Sequence, residues 1–107
     1  MNKEFPEFLQ KVIKKYPKVW DAYEKMGESA RSENGLDSRT QRLVKLGLAI
    51  GGQLEGAVHS HVRKCKAEGI SDEEIYHASI LAITTLGWPQ AMAALSWIND
   101  VLGGLEK

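Results

Sequence analysis

A single cysteine, Cys65, is all that this 107-residue chain contains, which excludes an intrachain disulfide and removes the resolving partner that thiol redox catalysis needs. Charge of one sign is not in excess either. Fourteen Lys and Arg balance fourteen Asp and Glu, and no basic block is interleaved with exposed aromatics, so an electrostatic footprint for nucleic acid is missing. The amino terminus, Met1-Asn2-Lys3-Glu4-Phe5, opens with charge rather than an apolar signal core, and with the lone cysteine it favours a reducing cytoplasm. Asp, Glu, Lys and Arg are absent from Ile75 to Ile98, yet Gly87-Trp88-Pro89 cuts that run into halves of about a dozen residues. Each half is too short for a bilayer that needs ~20. The expectation is no membrane span, but two helices buried nearly all round. A domain of this size buries about 65% of its unfolded surface, so neighbouring subunits are needed to cover them. A homo-oligomer follows.

Sustained two-residue alternation of β-branched and aromatic side chains is missing as well, and breakers and caps divide the chain into about six helical segments. The fold class is therefore all-α, one domain over 1–107, with covering helices in 1–35 and core helices in 38–105. The first helix starts near Phe5 with Pro6 in its first turn and stops before Pro17, because a residue ahead of proline is pushed out of helical geometry. The second runs from Pro17 to Asn34-Gly35. Ser38 is expected to cap the third, with Gln41 three residues on, and Gly51-Gly52 to stop it. A fourth spans about Gln53 to Glu68 and ends at Gly69, which suits a left-handed turn. Ser71-Asp72-Glu73-Glu74 reads as a capping box for the fifth, to about Leu86. Pro89 opens the sixth, where Ala91, Ala94, Leu95, Ile98 and Leu102 form the inward stripe.

The residues suited to chemistry gather on the fourth helix. Successive side chains turn by roughly 100°, so with Glu55 at zero His61 falls near ~240°, between Ala57 and Leu54 and within the arc that also holds Cys65, Val58 and Val62. Glu55, His59, Arg63 and Lys66 occupy the opposite edge, and Glu55 and His59 are a touching i, i+4 pair. An imidazole drawn into apolar surroundings loses hydration of its charged form and stays neutral near pH 7, ready to accept a proton. His61 is thus either a proton-transfer group or a core histidine bonded to a carbonyl. Glu55 with His59 is either part of the same relay or an exposed helix pair. His59 and His61 point about 200° apart and cannot share one ion, while Glu55 and His59 would need further ligands from another helix or subunit, so no metal is expected. Cys65 reads as a small buried hydrophobe. Arg42 is either a solvated charge or a clamp for a carboxylate at a pocket mouth. His77 belongs to a rim, and Thr84 and Thr85 to their own helix carbonyls.

Taken in order, Thr40-Gln41-Arg42-Leu43-Val44-Lys45-Leu46, then Glu55 to Glu68 with Gly69, Ser71-Asp72-Glu73-Glu74-Ile75, and Gly87-Trp88-Pro89 before an alanine-rich helix make a pattern that covers about two thirds of the chain. It resembles the carboxymuconolactone decarboxylase family, which includes the alkylhydroperoxidase D-type proteins. That resemblance implies a helical bundle with a central helix hairpin, assembled as a trimer or hexamer. In the peroxidase-like branch a Cys-x-x-Cys precedes the helix histidine and a glutamate lies one helix earlier. Here those positions hold Leu54, Ala57 and Arg42, and His61 alone matches.

The decarboxylase branch also lacks the cysteine pair, and Glu55 and His61 look like its acid and histidine groups. What it implies is acid/base work on a small carboxylic acid or lactone without a metal or organic cofactor, with His61, Glu55 and His59 as catalytic groups and Arg42 binding substrate. Two alternatives stand beside this one: a non-catalytic oligomeric scaffold whose old redox pocket is filled by Leu54 and Ala57, and an antioxidant, peroxiredoxin-like member acting through Cys65.

Overall fold

A computed structural model describes residues 5–106, and its helices are α1 Glu7–Lys15, α2 Pro17–Ser32, α3 Ser38–Gly51, α4 Glu55–Ala67, α5 Asp72–Leu86 and α6 Trp88–Leu102, followed by a short 3-10 turn over Gly104–Glu106. No strand occurs among the described residues. The all-α expectation holds, with six α-helices among those residues. None of these helices is long and apolar enough to cross a membrane. The chain divides into two compact units between Gly35 and Leu36.

The first unit is the α1–α2 hairpin. Pro6 stands at the N-cap of α1 rather than inside its first turn, and Pro17 opens α2, where a missing N–H costs nothing and the fixed φ is already helical. Neither helix buries a residue. Phe5, just ahead of α1, meets Trp20 of α2 edge-on at 5.5 Å between ring centroids, and Trp20 lies tilted against Tyr23 of the same helix at 5.4 Å, contacts worth about 0.5–1.5 kcal/mol each beyond their area.

The second unit carries the core. Leu46 and Ile50 of α3, Val58, Val62 and Cys65 of α4, Ile75 of α5 and Ile98 of α6 are all buried, and fully burying a side chain such as Leu, Ile or Val stabilises by roughly 1.5–3 kcal/mol. α5 packs on α6, α3 on α4, and α4 on α6. Ala91 and Ala94 are fully buried at the α6 surface, and their small side chains let α5 come close enough for Ser79 Oγ to donate to Ala91 O at 2.8 Å. Ile80, Leu81 and Trp88 of the uncharged α5–α6 pair stay exposed.

Two further expected helix starts shift, each for a local reason. α3 is capped by Asp37, not Ser38: the Asp37 carboxylate accepts from Thr40 N at 2.7 Å, and its backbone is extended while Ser38 is already helical. The Ser38 hydroxyl donates to Glu68 instead. α4 starts at Glu55 because Gln53 adopts a left-handed φ of 53° and Leu54 is extended. Gly69, at φ 82°, makes the turn out of α4. Ser71 and Glu74 form the complete reciprocal capping box at α5, and Gly87, at φ 100°, joins α5 to α6.

Candidate active site

α4 is the helix that distributes the chemistry, and it does so to two sides. The i, i+4 relation of Glu55 and His59 puts both on the side that meets α6, where His59 Nε2 lies 2.9 Å from Asp100 Oδ2. One donor atom each from Glu55, His59 and Asp100 lie within 4.8 Å of one another. The His59 side chain is 22% exposed and that of Asp100 57%. Asp100 is a partner that sequence periodicity does not provide, since it lies 41 residues from His59.

His61, two residues beyond His59, turns about 200° away and faces different company. Its ring is half-buried, and Nδ1 is buried with no hydrogen-bond partner among the described residues. Burial is the first cause that lowers its pKa from 6.5 to about 4, followed by the positive charges of Lys64, Lys45 and Arg42. The ring is therefore neutral at physiological pH, and an unpaired nitrogen inside the protein is free to accept a proton or a hydrogen bond. The structure brings His61 and Arg42 into one electrostatic neighbourhood and sets Glu55 and His59 apart from it. Lys45 and Lys64 complete a cationic corner that the sequence pattern did not single out.

Arg42 is itself engaged. Its Nε donates to Glu68, whose other carboxylate oxygen accepts from Ser38. The Ser38 bond first and the Arg42 bond second hold the Glu68 carboxyl below its usual range. An anion arriving at Arg42 must therefore compete with Glu68. Cys65 lies under the same corner, buried, with Sγ donating to Arg42 O at 3.8 Å. Burial raises its thiol pKa above the ordinary value, a change that nearby Arg42 opposes and Glu68 reinforces. A protonated, buried thiol is a poor nucleophile.

A shallow groove of about 390 Å³ runs over α5 and α6, lined by Glu73, Tyr76, His77, Ile80, Leu95 and Leu105. His77 is one of its lining residues, one turn after Glu73. His61, Glu55, His59 and Arg42 are not among its lining residues. Tyr76 is fixed there: its hydroxyl donates to Asn99 Oδ1 at 2.8 Å and accepts from Gly104 N at 2.8 Å.

A helical bundle in which one mid-chain helix carries an unpaired histidine beside basic residues of the preceding helix defines a class, and comparison with known proteins says which. The sequence pattern of the carboxymuconolactone decarboxylase family matches residues 17–100, and the chain belongs to that family. Its one cysteine leaves it without a Cys-x-x-Cys pair. An uncharacterized protein of Methanocaldococcus jannaschii is 28% identical over 98 residues, covering 91% of this chain and 94% of that protein. An uncharacterized Haemophilus influenzae protein is 33% identical over 51 residues, 48% of this chain and 45% of its own length. The crystal structure of an apo carboxymuconolactone decarboxylase family protein from Legionella pneumophila superposes with a TM-score of 0.72 at 23% identity, covering 87% of this chain and 86% of that one. At that identity the likeness speaks for the fold.

Proposed function

We propose that this chain is a cofactor-free acid/base lyase or isomerase acting on a small carboxylic acid or lactone, with His61 as the proton-transfer group. The observation that carries the reading is the neutral, half-buried imidazole with an unpartnered Nδ1 among Lys64, Lys45 and Arg42. A positive corner attracts a carboxylate, and Arg42 offers the planar fork that fits one. Once the anion is bound, its charge offsets the three cations that depress His61, and the ring's proton affinity rises. The substrate then prepares its own acid.

Loss of carbon dioxide next to an enolisable carbonyl breaks the carbon–carbon bond and leaves its electron pair in an enolate. Protonated His61 delivers its proton to the carbon, and the neutral ring is recharged from water. In an isomerisation the same ring takes a proton from one carbon and returns it to another. Glu55 and His59 act as positioning residues, since Asp100 holds the His59 ring and so fixes α4 against α6. Family membership supports the substrate class, and the exposed Ile80, Leu81 and Trp88 support assembly of copies into a homo-oligomer.

The test is a panel of small β-oxo acids and lactone carboxylic acids, followed by proton NMR in heavy water for decarboxylation or carbon-bound exchange. Turnover by the native chain and a drop of about 10²–10⁴ in kcat/KM for His61→Gln are expected, with an unchanged circular dichroism spectrum. Arg42→Gln should raise KM chiefly. Full activity in His61→Gln, or no turnover across the panel, would make the chain a binding or scaffold protein instead.

A further inference from the structure

The Glu55, His59 and Asp100 cluster carries no step of the chemistry assigned to His61. We propose that these three side chains form a binding site for one divalent first-row transition-metal ion at the α4–α6 crossing. The donor set is one imidazole nitrogen and two carboxylate oxygens, a mixture that suits zinc, cobalt or manganese rather than the all-oxygen shells of calcium and magnesium. Spacing fits the same ions. Donor atoms bound ~2.1 Å from a common ion stand about 3.0–3.4 Å apart. His59 Nε2 and Asp100 Oδ2, at 2.9 Å, are already near that separation. The Glu55 atom lies within 4.8 Å of both, and its exposed side chain closes the remainder by a change of rotamer.

Charge gives an independent reason. Among the described residues, three carboxylates that bridge helices are matched by a basic side chain: Glu68 by Arg42, Glu74 by Arg39 and Asp72 by Lys66. At the α4–α6 crossing two carboxylates face one histidine, and no Lys or Arg ion pair joins them. A divalent cation supplies the missing positive charge and bridges the two helices. Because α4 also carries His61, the ion fixes the frame of that ring without touching it. This inference does not depend on turnover at His61.

Isothermal titration of the whole chain with Zn²⁺, and Co²⁺ absorption as a second probe, test it. One ion per chain is expected, with a rise in the melting temperature on adding Zn²⁺. His59→Gln and Asp100→Asn should each weaken Zn²⁺ binding by at least about tenfold and lose the thermal shift, while circular dichroism reports an intact fold. His77→Gln, which removes a histidine that also follows a glutamate by one turn, should bind as the native chain does. His61→Gln should too, so that loss of turnover and loss of metal are separable. No Zn²⁺ or Co²⁺ binding by the folded native chain, binding unchanged in both His59→Gln and Asp100→Asn, or loss of binding in His77→Gln would overturn the site.

Discussion

His61 should make the protein's stability depend on pH in a way that a single substitution removes. In the unfolded chain its imidazole has an ordinary pKa of 6.5, and in the native state burial and then Lys64, Lys45 and Arg42 lower it to about 4. Between those values the unfolded state takes up a proton that the native state refuses, so stability falls as pH falls from 6.5 to 4 and levels off below. The full difference corresponds to about 3 kcal/mol. Because the ring is only half-buried, solvent screening reduces this to about 1–2 kcal/mol. His61→Gln removes the titration. Urea unfolding of both proteins at pH 7.5 and pH 4.5 should show the native chain losing about 1–2 kcal/mol more than the variant over that interval. The lowered carboxyls of Asp37, Glu68 and Glu74 act in the same direction at lower pH, contributing stability above their ordinary pKa and losing it as pH falls below, and they are common to both proteins. Equal pH slopes for the two, or a ring titration by NMR with its midpoint at 6.5 or higher, would refute the account of His61 and remove the observation on which the proposed chemistry stands.

Two further substitutions test the frame around the site. Ile98→Ala, at a fully buried α6 position, should cost about 2–5 kcal/mol, measured as a fall in the urea midpoint with an unchanged slope; a loss below ~1 kcal/mol would mean that α6 does not pack as described. Ser71→Ala deletes half of the capping box of α5 and should cost about 0.5–2 kcal/mol, with amide exchange accelerating first in the opening turn of α5. Uniform exchange along the helix would argue against the cap.

Sequence alone determined the helices and most of their ends, because the causes are local. Pro17 cannot sit inside α1, Gly69 takes the positive φ that closes α4, and Ser71 with Glu74 satisfies the first N–H groups of α5, all within a few residues. The roughly 100° turn per residue also set His61 on the far side of α4 from His59 before any tertiary contact was known. The cap of α3 was harder, since Asp37 and Ser38 are adjacent and both able; only backbone geometry showed Asp37 accepting from Thr40 while Ser38 turns to Glu68. What the tertiary structure decided is which charges meet. Arg42 finds Glu68 26 residues away, His59 finds Asp100 across α6, and Lys45 and Arg42 of α3 come to bear on His61 of α4. Those meetings depend on how the helices cross, and crossings are set by the summed packing of Leu46, Val58, Val62, Ala91 and Ile98 rather than by any spacing along the chain.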